Sequence, residues 1–350
     1  MDRSDGGPAR RQRGGGRRGL STSPLTVLAT PVFGAPLSRE LVARIESVGD
    51  VRCVQIAADG RIHGDAESGS IAEGDVLLRG GVSAAVIDHI VSRAPRLRWI
   101  HSVTAGVDRV VTHLVRERGI TITNARGVFS RPIAEYLVMM CLAIARRLPA
   151  LLELQRERTW QPLRGRELAQ LTIGIVGFGS IGHELARLLA PFECRILATR
   201  RHAERGAEAS NVELMPADRL DELLRASDIV VVAAPLTDET AGLIGRPQLQ
   251  EMREDAWVVN ISRGRLIDEL ALRRALEAGW IGGAVLDVFG EEPLPADSPL
   301  YSTPNLVITP HTSWSSDRVA ERSITLFVDN LRRFQAGEPL ANTVDIEAGY

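Results

Sequence analysis

Thr172-Ile-Gly-Ile-Val-Gly177-Phe178-Gly179-Ser180-Ile181-Gly182 sets three glycines in the spacing GxGxxG, between an apolar run and a helical pattern that continues through Leu185 and Leu189. Each glycine has a separate physical task. Gly177 permits a tight turn, Gly179 lets backbone approach a pyrophosphate, and Gly182 allows close packing of helix on strand. The helix that begins here points oriented N–H groups and partial positive charge at an anion. A glycine-rich turn can also be purely structural, but the strand-turn-helix-strand setting favours a dinucleotide site over Gly177, Phe178, Gly179, Ser180, Ile181 and Gly182. Roughly twenty residues beyond the glycines, an NAD site offers Asp or Glu to the ribose 2′-hydroxyl, whereas Arg accommodates a 2′-phosphate. The chain reads Leu197-Ala-Thr-Arg200-Arg201 at that point, with two guanidiniums and no acid. NADP(H) is therefore favoured over NAD(H), with ordinary surface charge as the alternative reading of Arg200 and Arg201.

Outward from this stretch, short apolar runs alternate with amphipathic helices, the pattern of parallel sheets covered on both faces. Strands are expected over 172–176, 195–199, 228–234, 256–261, 283–288 and 306–308. A helix over 270–278 has Asp268 as N-cap and Gly279 beyond its end. An earlier, less regular run predicts strands over 25–29, 51–55, 76–78 and 120–123 and helices over 38–48 and 83–94. It has no phosphate-binding glycines. Between the runs, 132–148 reads as one strongly apolar helix, an interdomain strut or a subunit interface. The last helix, 315–335, follows the final sheet strand and is expected to return to the first domain. The expected fold class is thus α/β, with two doubly wound parallel-sheet domains. A Rossmann-type nucleotide domain (124–312) is inserted in a discontinuous flavodoxin-like substrate domain (24–123 and 313–345).

A length of 350 residues suits two domains of ordinary size. The net charge of −2 gives no global pull toward nucleic acid or an anionic membrane. Every basic residue other than histidine is Arg, so Schiff-base chemistry and a Lys-dependent phosphate loop are excluded. Cys53, Cys141 and Cys194 form no metal or disulfide spacing, and a reducing cytoplasm is the default. No apolar run is long enough to span a bilayer. Residues 1–23 are rich in Gly and Arg and read as a disordered tail, with a basic arm or transit segment as the alternative.

Three segments at the carboxyl ends of later strands carry polar groups where an open α/β sheet presents its ligand crevice. They are Val259-Asn-Ile-Ser262-Arg263-Gly264, Leu286-Asp287-Val-Phe-Gly-Glu291-Glu292-Pro293 and Ile308-Thr-Pro-His311. Reduction of a keto acid needs a cation for the carboxylate and a proton donor for the developing alkoxide. Arg263 matches a carboxylate with its planar fork. His311 is suited to proton transfer, and Glu292 beside it favours the protonated ring. Singly, a His after Pro reads as loop structure and Glu291-Glu292 as a solvated turn. Their joint occurrence on three strand ends after a nucleotide fold points to catalysis.

With these residues in view, the chain resembles the D-2-hydroxyacid dehydrogenases, which include glyoxylate/hydroxypyruvate reductases and phosphoglycerate dehydrogenases. The resemblance runs from about residue 75 to 335. It rests on Thr104-Ala-Gly-Val-Asp108, Gly165-Arg-Glu-Leu168, Asn260-Ile-Ser-Arg-Gly-Arg-Leu-Ile-Asp268, Asp287-Val-Phe-Gly-Glu-Glu-Pro293 and Thr309-Pro-His311, besides the glycine motif. It implies Arg263, Glu292 and His311 as the catalytic trio and Asp287 as holder of the nicotinamide carboxamide. It also implies Ala105 and Gly106 facing the substrate carboxylate, Gly80 and Gly81 as another pocket wall, Pro235 on the adenosine side, and a homodimer built on the 132–148 helix. Two features depart from the family pattern. Gln170-Leu171 replace a common Gly-Lys, and Trp314 stands where small residues are common, its bulk narrowing the substrate pocket. Neither a metal, a nucleic acid nor a membrane is expected as partner. The rival readings are a same-fold dehydrogenase for formate or phosphite, opposed by Glu292 where the formate branch has Gln, and an NAD(P)-sensing binding protein. The L-specific lactate/malate type is opposed by the mid-chain position of the glycines.

Overall fold

The computed structural model describes residues 24–63, 70–107, 110–201 and 211–346. The expected tail over 1–23 lies outside the described residues, as do Asp108 and His202. Five parallel strands form the first sheet: β1 (Leu25–Ala29), β2 (Val51–Gln55), β3 (Val76–Arg79), β4 (Trp99–Ser102) and β5 (Thr121–Asn124). Their order, β2-β1-β3-β4-β5, is the flavodoxin-type doubly wound order. The crossovers carry α1 (Arg39–Glu46), α2 (Ala84–Arg93) and α3 (His113–Glu117), started by Ser38, Ser83 and Thr112, whose hydroxyls accept backbone N–H bonds of the first turn. Strand β4 adds Trp99-Ile-His-Ser102 to the strands expected from the sequence.

The apolar connecting segment is two helices, α4 (Ser130–Ala145) and α5 (Leu148–Arg156), and not one. Arg147 takes a left-handed φ of 58° between them, and Pro149 follows in the first turn of α5. In an unbroken helix the Pro149 ring would meet the carbonyl of Ala145, which is where α4 stops. Ile133, Leu137 and Cys141 of α4 are buried in one cluster with Ile173 and Leu185.

Seven parallel strands form the second sheet, in the order β12-β11-β10-β9-β6-β7-β8. In chain order the elements are β6 (Thr172–Val176), α6 (Ser180–Leu189), β7 (Arg195–Arg200), β8 (Val212–Pro216), α7 (Leu220–Ala226), β9 (Ile229–Val232), α8 (Arg246–Glu251), β10 (Trp257–Asn260), α9 (Glu269–Glu277), β11 (Gly283–Leu286) and β12 (Leu306–Ile308). Buried runs such as Ile229-Val-Val-Val232 reflect a sheet covered on both faces. Asp268 caps α9 through the Ala271 N–H, and Gly279 beyond it has φ +68°. The chain leaves β6 in one direction through β7 and β8, then resumes on the other side at β9. This reversal opens a crevice beyond the carboxyl ends of β6 and β9.

The last helix, α10 (Val319–Ala336), begins four residues later than the sequence pattern suggests. Its stripe Ile324, Phe327, Val328 and Leu331 has helical spacing and is buried in the cluster of Val27, Val76, Leu78 and Trp99 on the first sheet. The Trp99 and Phe327 rings stack with centroids 5.4 Å apart. Among the described residues no helix is long and apolar enough to cross a membrane.

Candidate active site

Register brings the three polar segments to one end of the second sheet. Asn260, Leu286 and Ile308 are paired across β10, β11 and β12, so the chain leaves three neighbouring strands at the same level just before Arg263, Asp287 and His311. Gly264 lets the first two turns close on each other: a Cβ there would lie 1.9 Å from the Phe289 carbonyl carbon. Asn260, fully buried, fixes the Arg263 turn, its side-chain amide donating to the Arg263 carbonyl at 2.9 Å and its Oδ1 accepting from the Ser262 N–H at 3.1 Å. The Ser262 hydroxyl donates to the Ala234 carbonyl at 2.5 Å, tying this turn to the end of the β9 segment. Arg263 is half-buried, and its guanidinium donates to the Ser262 carbonyl at 2.8 Å.

His311 and Glu292 form a bonded pair, Nδ1 to Oε2 at 2.8 Å, with side chains 41% and 35% exposed and thus reachable from the cleft. The other Glu292 oxygen accepts from the Phe289 N–H at 3.0 Å, so the carboxylate is fixed at both ends. His311 sits at φ +49°, a left-handed conformation that costs a non-glycine residue on the order of 1 kcal/mol and persists only where its surroundings hold it. The holder is Asp287. Its carbonyl accepts the His311 N–H at 2.8 Å, and its carboxylate accepts from the Thr309 hydroxyl (2.5 Å), the Thr312 N–H (2.9 Å) and the Ser313 N–H (3.0 Å). Asp287 has no exposed surface. Expected as a contact for the nicotinamide carboxamide, it engages the loop that carries His311 through both carboxylate oxygens.

The glycine motif fits a dinucleotide. Gly177 has φ +94°, and a Cβ there would lie 2.6 Å from Ala234 backbone atoms. A Cβ on Gly182 would meet the Phe178 ring at 2.9 Å, whereas Gly179 has no atom within 4 Å of that position. The open ground thus lies over Gly179, at the start of α6, which has no side-chain cap and leaves its first N–H groups for a ligand. Ser180 beside it is exposed and Ile181 half-buried, but the Phe178 ring is 1% exposed and packs on His183. Among these residues Phe178 can therefore offer only its backbone. Arg200 ends β7, half-buried, and Arg201 next to it pairs with Glu239 at 2.7 Å. Pro235 is exposed, its carbonyl accepting from the Thr240 hydroxyl.

On the first sheet, Gly80 is a packing glycine. It is buried, donates its N–H to the Thr30 hydroxyl at 2.7 Å, and a Cβ there would strike the Pro31 carbonyl oxygen at 1.7 Å. Of the expected pair only Gly81 faces open space. Ala105 is exposed and Gly106 half-buried, in a loop held by the Asn124 amide on the Ala105 carbonyl and the Thr104 hydroxyl on the Gly106 carbonyl. Trp314 stacks on Phe33 with centroids 5.5 Å apart and meets Phe129 edge-on at 6.1 Å. Phe33, from the loop after β1, has no motif around it and was silent in the sequence.

A dinucleotide cradle next to a histidine-carboxylate pair and an arginine defines an oxidoreductase of the Rossmann type. The profile of the D-isomer specific 2-hydroxyacid dehydrogenase NAD binding domain matches residues 138–313. The chain is 37% identical over 267 residues to a glyoxylate reductase of Korarchaeum cryptofilum, covering 74% of this chain and 79% of that one. A D-isomer specific 2-hydroxyacid dehydrogenase of Xanthobacter autotrophicus, solved with NADPH and MES, superposes with a TM-score of 0.80 at 29% identity, over 94% of this chain and 100% of that one. An NADPH-dependent glyoxylate/hydroxypyruvate reductase of Sinorhizobium meliloti, solved with NADP and sulfate, gives 0.78 at 27% identity, over 93% and 100%. The chain belongs to the D-isomer specific 2-hydroxyacid dehydrogenase family. It is an NAD(P)-dependent oxidoreductase acting on the CH–OH group of 2-hydroxy acids and the carbonyl of 2-keto acids.

Proposed function

We propose that the chain reduces a small 2-keto acid of the glyoxylate or hydroxypyruvate kind, with Arg263 as carboxylate anchor, His311 as proton donor and Glu292 as its partner. The observation that carries this reading is the 2.8 Å bond between His311 Nδ1 and Glu292 Oε2 at the level of the Arg263 turn. With Nδ1 committed to the carboxylate, the ring is held so that Nε2 is the nitrogen left to carry the proton to be given. Arg263 binds the substrate carboxylate through its planar fork, with the backbone of Ala105, Gly106 and Gly81 closing the opposite wall. When bound, the nicotinamide supplies the hydride. The residues that would hold the cofactor are the Gly177–Gly182 turn, with its α6 N–H groups on the pyrophosphate, Arg200 and Arg201 on a 2′-phosphate, and Pro235 on the adenosine side. NADP(H) is preferred, because β7 ends in Arg200, Arg201 follows it, and neither position is a carboxylate.

Trp314, three residues beyond His311 in the chain, stacks on Phe33, and the bulk of the two rings supports a small substrate side chain. Burial pushes the Cys53 and Cys141 thiols up to about 12, so neither serves as a nucleophile. Residues 24–123 with 313–345 form the substrate domain and 124–312 the nucleotide domain. Two copies pair through α4 and α5, where Val138, Met139, Leu142, Leu148 and Leu151 line an apolar groove of about 530 Å³, and Met139 and Leu148 are half-exposed. Three unpaired cysteines accord with the cytoplasm. Steady-state oxidation of NADPH and, separately, NADH with glyoxylate, hydroxypyruvate, pyruvate and bulkier 2-keto acids tests the proposal. Preferred turnover of the smallest acids with NADPH supports it. Silence across the panel with cofactor bound would favour a sensor.

A further inference from the structure

The loop that carries His311 is anchored from outside the three strand ends. Tyr136 lies in the second turn of α4, and its hydroxyl is 2.8 Å from Thr309 Oγ1, across 173 residues of sequence. Thr309 has one hydroxyl proton, and the Asp287 carboxylate, which only accepts, takes it at 2.5 Å. The direction of the chain is therefore fixed: Tyr136 donates to Thr309, Thr309 donates to Asp287, and Asp287 receives Thr312 and Ser313 N–H groups on either side of the same carboxylate. The Asp287 main chain closes the ring, taking the His311 N–H on its carbonyl and giving its own N–H to Asn260. Bonds in such a series polarise one another, so loss of the first donor weakens the second.

We propose that Tyr136 is a positioning residue for the reaction: its hydroxyl, acting through Thr309 and Asp287, holds the loop in which His311 meets Glu292. The proposal rests on the reading of His311 as proton donor. Burial pushes the Tyr136 hydroxyl up to about 12, so it remains a donor throughout the working range. The left-handed φ of His311 gives the anchor its purpose, because a loop released from Asp287 relaxes toward an unstrained backbone and turns the imidazole away from the carboxylate. The Tyr136 hydroxyl is bonded to Thr309 and to neither pair member. Its effect passes through backbone bonds to the loop.

The test uses the full chain and the variants Tyr136→Phe, Thr309→Val and Thr309→Ser. Tyr136→Phe keeps the ring and removes one oxygen. It is expected to lower kcat about 10-fold with the KM for hydroxypyruvate and the Kd for NADPH changed less than about 2-fold, because misplacement by a fraction of an ångström falls on the chemical step. Thr309→Val lowers kcat further and Thr309→Ser restores it. Tyr136→Phe added to Thr309→Val does nothing more, since the acceptor is already gone. Independently of turnover, the His311 ring resonance, identified by its loss in His311→Ala, shifts in Tyr136→Phe. A Tyr136→Phe enzyme with wild-type kcat and an unmoved His311 resonance overturns the relay even if His311→Ala is inactive. Effects of Tyr136→Phe and Thr309→Val that multiply also overturn it. A shifted resonance in Tyr136→Phe together with an active His311→Ala enzyme overturns the proton-donor reading and leaves the anchor standing.

Discussion

His311 Nδ1 and Glu292 Oε2 lie 2.8 Å apart, brought together from two loops that leave neighbouring parallel strands. The pair fixes which ring nitrogen is committed and which is available. Nδ1 points to the carboxylate, so Nε2 is the atom that can reach a substrate oxygen. The same contact orients the ring, because Glu292 is itself held by the Phe289 N–H. A carboxamide would keep the hydrogen bond but lose the negative charge. Glu292→Gln should therefore lower kcat for keto-acid reduction by roughly 10- to 100-fold while NADPH binding is preserved. Stopped-flow reduction rates with cofactor titrations check this.

As the proposed carboxylate anchor, Arg263 would supply geometry as well as charge. Arg263→Lys retains the cation but not the two-pronged fork, and Arg263→Ala retains neither. Both should raise the KM for 2-keto acids and reduce kcat/KM, the Ala variant by roughly 100-fold or more, with the Lys variant closer to Ala than to wild type. A Lys variant with near-native kcat/KM would remove the bidentate role.

Charge removal at Arg200 and Arg201 should act on one cofactor only. Each Arg→Ala change should weaken NADPH about 10-fold, the worth of a charge-assisted hydrogen bond, and leave NADH nearly unchanged. Arg201 is the weaker of the two in this expectation, because it is already paired with Glu239. The ratio of NADPH to NADH affinity in each variant is the readout, and an unchanged ratio contradicts the assignment.

Two glycines of one motif should fail in different ways. Gly179→Ala places a methyl in open space at an ordinary φ of −104°, so the melting temperature should hold while cofactor affinity falls. Gly177→Ala adds strain at φ +94° and a contact of 2.6 Å with Ala234 backbone. It should cost about 1–3 kcal/mol of stability as well as cofactor binding. Thermal melts with and without NADPH separate the two outcomes.

Burial lowers His101 to about 3, on β4 between Trp99, Thr123 and Phe327. The folded value lies below the unfolded one, so its neutral form is favoured on folding. Its contribution is fully present above the ordinary imidazole range near 6.5 and is lost progressively as pH falls toward 3. The slope cannot exceed about 1.4 kcal/mol per pH unit. His101→Leu removes this titration, and its denaturation free energy should fall less steeply between neutral and mildly acid pH than that of the wild type. Equal slopes would contradict the burial argument.

Much of the fold was legible in the sequence. β1, β2, β6 and β12 have the bounds that the sequence suggested; β1 and β6 are interior strands whose burial writes them as largely apolar runs, whereas β2 and β12 are partly buried sheet edges. β4 was not legible because His101 and Ser102 make Trp99-Ile-His-Ser102 look polar, although all four are buried. β8 is an edge strand whose residues alternate Glu213 with Leu214, a pattern too short to stand out. The break between α4 and α5 was present in the sequence as Pro149 but hidden by the apolar run around it. The gathering of Arg263, Glu292 and His311 at one end of the second sheet was legible because each lies in a segment that follows a strand end. Asp287 could be named, but its engagement with the His311 loop could not, because hydrogen bonds between residues 22 to 26 apart leave no mark on spacing. Tyr136 reads as one more residue of an apolar helix.

The proton-donor role of His311 is tested most directly by His311→Ala, measured as kcat for the wild type's preferred 2-keto acid with NADPH saturating and its Kd determined in parallel. The account predicts a loss of at least about 100-fold in kcat with NADPH affinity within about 2-fold of wild type. A variant that binds NADPH normally and still reduces the keto acid at a near-native rate would contradict it.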